Sequence, residues 1–170
     1  IVEGVDLANY DPIAGVASGG SGSGSVFAAS TRVATAMKQV SAFIKFASDG
    51  AADEKIASAQ LIAGLANKLA AGDMTELGDV DAMTTVLTAV SNASGYSSFV
   101  SPSDIAGAAT LIGAADELIV DTCSSSSTSK TLAVDLVKIQ AVVEESVVKG
   151  YDQLVLDGGT PSGLSASLSK

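Results

Sequence analysis

The sequence predicts an all-α fold, an antiparallel bundle of about five helices with Gly/Ser-rich connectors. Three observations predict it. Apolar residues recur at steps of three and four over five separate stretches, the period of a helix with one buried face. Capping and stop residues bracket those stretches. The apolar residues are also small: hydrophobic side chains make up 47% of the 170 residues but aromatics only 4%. A core of Ala, Val, Ile and Leu lets neighbouring elements approach closely. Helices of this kind are not stable singly in water, so the apolar stripes must share one core. Each buried Leu, Ile or Val then contributes about 1.5–3 kcal/mol.

Residues 1–25 read as an irregular N-terminal segment, 26–150 as the bundle and 151–170 as a tail or linker. In the first segment Asn9-Tyr10-Asp11-Pro12 is a turn signal, because Pro12 disfavours helical geometry at Asp11. The run Gly19 to Ser25 reads as a flexible loop. It lacks the Gly-Lys-Ser/Thr ending of a phosphate-binding loop.

The first helix spans about Val26 to Ser48, with Val33, Met37, Val40 and Ile44 on one face, widened by Ala36 and Phe43. Arg32, Lys38 and Lys45 are its polar positions, solvated or paired with acidic neighbours. Asp49-Gly50 ends it. The second helix spans about Ala52 to Ala71, with Ile56, Ala59, Ile62, Leu65 and Leu69 inward. Asp53 and Glu54 at its start and Lys68 near its end match the helix dipole. Gly72 stops it, and Gly64 permits a close neighbour.

The third helix, about Val80 to Ser91, turns Met83, Val86, Leu87 and Val90 inward, with Asp79 or Asp81 as cap. After a linker, Ser101-Pro102-Ser103-Asp104 opens the fourth helix: Ser101 fits the N-cap, Pro102 the first turn and Asp104 a capping-box partner. Ile105, Ala108, Ile112, Ala115 and Ile119 share a face, with Leu111 and Leu118 beside it, to about Val120. The Ser/Thr stretch Asp121 to Ser129 reads as a connector. The last helix, about Lys130 to Lys149, carries the heptad-like stripe Leu132, Leu136, Ile139, Val143 and Val147, and Gly150 ends it.

The chemistry of the chain is sparse. It has no His, no Trp and one Cys, whereas proton transfer, metal ligation and nucleophile activation lean on His, Cys or clustered carboxylates. No catalytic residue and no cofactor-binding residue emerges, and the chain reads as not an enzyme. Nineteen acidic residues against nine basic ones give a net charge of −10, which opposes nucleic acid and anionic membrane surfaces. No apolar run is long enough for membrane insertion.

Asp73, Glu76, Asp79 and Asp81 form the one acidic group that suggests calcium, but they lack the spacing of a helix–loop–helix calcium site and fit helix capping better. Cys123, alone in a polar stretch, is a candidate intermolecular link. Met37, Phe43, Phe46, Met83 and Phe99 are the side chains that an apolar ligand pocket would use, though core packing explains all of them better.

At Val5-Asp6-Leu7-Ala8-Asn9-Tyr10-Asp11-Pro12-Ile13-Ala14, followed by the pattern from Val33 to Phe46, the chain resembles an Ala-rich helical module of large secreted bacterial adhesins of the repeats-in-toxin type. The resemblance covers residues 5–70. The sequence starts after the place of the Thr-Pro-Leu-Thr-rich helix that usually precedes this module, and its 170 residues contain no calcium repeats. The resemblance implies an extracellular, cell-surface, non-catalytic role, with self-association or other surface-protein domains as partners, as a pair or a filament. A bundle binding a lipid or pigment is the alternative. The start at Ile1, with no leader pattern, reads as a processed product or part of a longer chain.

Overall fold

The computed structural model describes residues 11, 14–15, 23–48, 54–72, 76–93, 95, 97, 100–125 and 128–151. The described residues form five α-helices: α1 Ser23–Ala47, α2 Glu54–Ala71, α3 Val80–Ala93, α4 Pro102–Ser125 and α5 Ser129–Val143. A π-helical turn, Glu144–Val148, prolongs α5, and helical geometry continues through Gly150 to Tyr151. The fold is an all-α antiparallel bundle, as the sequence predicts. α1 and α4 lie at its centre. α1 packs on α2, α4 and α5, and α4 packs on α1, α3 and α5, while α2 and α3 close one side.

The central position of α1 explains its burial. Ala36, Val40, Ala42, Phe43, Ile44 and Ala47 are all buried, and so are the polar Thr31, Thr35 and Gln39. The expected inner position of Val33 is overturned: it is 41% exposed. Ile62 on α2 is 49% exposed and Ala59 is exposed, whereas Leu65 is buried as expected and Leu61 joins it on the inner side. Val33 and Ile62 line the same open groove between the two helices. Periodicity aligned these residues correctly, but among the described residues no further helix closes that side. The side chains of Ile56 and Leu69 lie outside the described residues, as do Asp49, Gly50 and Asp53.

Two glycines set the closest approaches. A Cβ on Gly64 would stand 3.1 Å from Val86 Cγ1, so α2 and α3 meet tightly there. A Cβ on Gly113 would stand 3.1 Å from Val80 Cγ2 and 3.3 Å from the Gly78 carbonyl oxygen, pressing α4 against the start of α3. Gly72, at φ 75°, ends α2 in the left-handed conformation that glycine adopts without strain.

The helix starts follow local chemistry. Asp11 carboxylate accepts from the Ala14 N–H at 3.1 Å, and Ala14 and Gly15 are helical. Ser23 to Ser25 belong to α1, which shortens the expected irregular segment; residues 1–10 and 16–22 lie outside the described set. Asp79, not Asp81, caps α3, accepting from the Ala82 N–H at 2.9 Å. At α4 the Ser101 hydroxyl accepts from the Asp104 N–H at 3.2 Å, and the Asp104 carboxylate accepts from the Ser101 N–H at 2.8 Å, a reciprocal capping box.

The expected connector from Asp121 to Ser129 is corrected, since α4 runs on to Ser125. Thr122 and Ser124 donate to the Leu118 and Val120 carbonyls at 2.8 and 3.0 Å, so the hydroxyls fold back onto the helix instead of ending it. Thr128 caps α5, its hydroxyl accepting from the Thr131 N–H at 3.1 Å.

The expected stripe of α5 is buried throughout, and Tyr151 extends it. From Ile139 to Val143, Val147 and Tyr151 the spacing is always four. In a regular helix each such step overshoots a full turn by about 40°. The π turn is wider and absorbs the overshoot, which keeps Val147 and Tyr151 on the core. Gly150 therefore does not stop the helix. Tyr151 lies edge-on to Phe43, with ring centroids 6.3 Å apart, and tilted against Phe46 at 6.0 Å.

Candidate functional site

The strongest polar contact joins the two central helices. Arg32 on α1 donates from Nε and Nη2 to the two carboxylate oxygens of Asp116 on α4, at 2.6 and 2.7 Å. The Asp116 side chain is only 5% exposed and that of Arg32 26%. The hydrogen bonds to Asp116 raise the Arg32 pKa, against the opposing effect of burial. Each Asp116 carboxylate oxygen accepts from Arg32, so the pair acts as a clamp between the two helices. Lys38 on the same helix donates to Glu144 at 2.7 Å in an exposed pair, which holds the Glu144 carboxyl below its ordinary pKa. Arg32 and Lys38 thus serve acidic neighbours.

Three open grooves flank these contacts. One, of about 450 Å³, lies between α1, α2 and the π turn and is lined by Met37, Lys38, Ser41, Lys45, Ser58 and Glu144 among others. Another, of about 350 Å³, is mostly apolar, with Val33, Ile62, Leu65, Ala66 and Leu77 beside Arg32 and Glu76. The third, of about 430 Å³, is edged by Glu76, Gly78, Asp116 and Glu117.

The sequence candidates do not converge on any of them. Phe43 and Met83 are fully buried in the core, Phe46 packs on Tyr151, and Met37 alone lines a groove. Phe99 lies outside the described residues. Of the acidic group, Asp79 is engaged as a cap, Glu76 and Asp81 are exposed, and Asp73 lies outside the described residues. Among the described residues no group of three or more His, Cys, Asp or Glu side chains is placed to hold a metal ion.

Cys123 sits on the last turns of α4, half-buried and packed against the core. Burial raises its thiol pKa, and nearby Arg32 only partly offsets this. Thiolate, the form that attacks a disulfide, is therefore scarce at neutral pH.

Two further features escape the stripe pattern. The buried side chains of Thr35 and Gln39, one helical turn apart on α1, have no hydrogen-bond partner among the described residues for the hydroxyl or for either amide atom. On α5 the side opposite the core row is also apolar: Val134 is 50% and Val137 56% exposed, with Ala141 in line. The signal for this second row was present in the spacing Val134, Val137, Ala141, behind the stronger Leu132 stripe.

Among the described residues no helix is long and apolar enough to cross a membrane. No family model matches the chain, and comparison with curated proteins and with solved structures returns no match.

Proposed function

We propose that this chain is a non-catalytic structural or adhesive module of an extracellular, cell-surface assembly, and that it works through its outer surface. The observation that carries this reading is the exposed apolar row Val134, Val137 and Ala141 on α5. Single exposed aliphatics are ordinary on a free domain, whereas a row along one helix is the mark of a contact surface. The ionic groups fit the same role. Arg32 and Asp116 clamp helices, and Asp79 and Asp104 cap them. The adhesin-like pattern over residues 5–70 points in the same direction.

A second reading, a bundle that binds a small apolar molecule, draws on the groove of Val33, Ile62, Leu65 and Leu77, whose volume of about 350 Å³ falls within the range of ligand sites. One pair of measurements separates them. Sedimentation across a range of concentrations, with and without calcium, should reveal association of the purified chain. Native mass spectrometry should find it free of small molecules. A stoichiometric lipid or pigment on the purified chain would reverse the order of the two readings.

A further inference from the structure

The chain carries a net charge of −10, so most approaches of one copy to another are repelled. α5 is an exception. From Ser129 to Lys149 the three lysines Lys130, Lys138 and Lys149 balance the three acids Asp135, Glu144 and Glu145. This segment also carries the exposed apolar row. Lys130, Val134, Val137, Ala141 and Glu145 follow one another at steps of four, three, four and four, and all five are exposed. Such spacing draws a nearly straight line along a helix, the seam of a two-helix contact.

The row is polarised: it begins with a cation and ends with an anion. Lys130 makes no ion pair among the described residues, and Glu145 is held only by Lys149 at 2.8 Å, in a pair open to solvent. Exposed pairs of this kind are weak and easily exchanged.

We propose that α5 is a self-recognition surface, on which two copies of this chain pack their α5 helices antiparallel about a two-fold axis passing between Val137 and Lys138. An antiparallel arrangement is the one that reads the polarised row against itself to advantage. It sets Lys130 of each copy against Glu145 of the other, at both ends of the contact. It sets Val134 against Ala141 of the other copy, a large side chain facing a small one, so the helices can interlock closely. A parallel arrangement would set Lys130 against Lys130 and Glu145 against Glu145. The contact is isologous and closes on itself. It rests on the reading that the chain works through its surface, and it names the partner of that surface as a second copy.

The test is sedimentation equilibrium of the 170-residue chain from micromolar to millimolar concentration, with thermal unfolding of every variant to confirm that it is folded. The wild-type chain is expected to dimerise. Lys130→Glu and Glu145→Lys are each expected to weaken the dimer about tenfold, because two symmetric attractions become two repulsions. An equimolar mixture of these two variants is expected to form a heterodimer as tight as wild type, since every end contact is again opposite in sign. Val134→Asp is expected to leave only monomer.

A wild-type chain that stays monomeric overturns the proposal. So does a dimer that Lys130→Glu, Glu145→Lys and Val134→Asp leave unchanged, or a mixture that associates no better than its components. A monomeric wild type counts against the functional reading as well, whereas a dimer insensitive to these substitutions overturns the α5 contact alone, since association then runs through another surface.

Discussion

Arg32 and Asp116 are separated by 84 positions in the chain, yet they share two hydrogen bonds of 2.6 and 2.7 Å between the two central helices. The geometry is bidentate, a planar fork meeting a carboxylate, which lysine cannot reproduce. Removing one partner leaves an unpaired charge, almost wholly shielded from water for Asp116 and partly so for Arg32. Asp116→Ala is expected to cost about 2–4 kcal/mol, near the lower part of the range for broken buried pairs because Arg32 can turn its head toward the open groove. Arg32→Lys is expected to cost part of this. Arg32→Met combined with Asp116→Leu should recover most of the loss, since an apolar pair of similar volume carries no desolvation cost. Urea unfolding of the single and double variants measures the coupling. Strict additivity would show that the two side chains stabilise the bundle independently.

That clamp was not legible in the sequence, and the reason is physical. Local signals lie within a few residues of one another. The reciprocal bonds of Ser101 and Asp104 are such a signal, and the stripe from Ile105 to Ile119 depends on one helical period. A pair spanning the chain leaves no local trace: Arg32 reads only as a polar position on a helix. Exposure is also non-local. Val33 and Ile62 are in register with buried neighbours, and only the arrangement of α1 and α2 leaves them open. The Ser/Thr run at the end of α4 misleads for the opposite reason. Composition alone suggests a connector, but the Thr122 and Ser124 hydroxyls bond to carbonyls one turn back and the helix runs on to Ser125.

The two tight glycines are expected to respond differently to alanine. Each replacement removes glycine's backbone freedom and favours the helix by about 0.5–1 kcal/mol. At Gly64 the new methyl meets only Val86 side-chain atoms, which can shift by a few tenths of an ångström. At Gly113 it also meets the backbone carbonyl of Gly78, which is fixed by the approach of the α3 start. Gly64→Ala should be close to neutral, and Gly113→Ala should destabilise by about 1 kcal/mol or more through overpacking. Thermal unfolding of both variants decides it. A stabilised Gly113→Ala would mean that the segment before α3 yields readily.

The buried polar atoms of α1 lead to the opposite kind of expectation. Thr35 Oγ1 and both amide atoms of Gln39 are enclosed without partners among the described residues. An unsatisfied buried polar group costs about 1–3 kcal/mol, while an apolar replacement of the same shape removes that cost. Thr35→Val and Gln39→Met are therefore expected to raise the unfolding free energy, each by about 1 kcal/mol, in denaturant titrations. A loss of stability in both would show that these atoms are held by an internal water, whose bonds the substitution forfeits.

Tyr151 provides the pH dependence. Burial pushes its phenol pKa up, and the negative charge of Asp104 adds to the effect. The folded pKa lies above the unfolded value, so the folded state holds the phenolic proton more tightly. The stability contributed by the neutral ring is complete below the ordinary phenol pKa of about 10 and is lost as pH rises from there through the folded value. Within that window one proton is released on unfolding, which lowers stability by about 1.4 kcal/mol per pH unit. Tyr151→Phe keeps the ring packed against Phe43 and Phe46 but has nothing to ionise. Its stability should therefore fall less steeply above pH 10 than that of the wild type, with the two curves parallel near neutrality. Denaturant unfolding from pH 7 to 11 supplies both curves. Equal alkaline slopes would mean that the phenol reaches solvent in the folded chain, and that the π turn does not hold Tyr151 in the core.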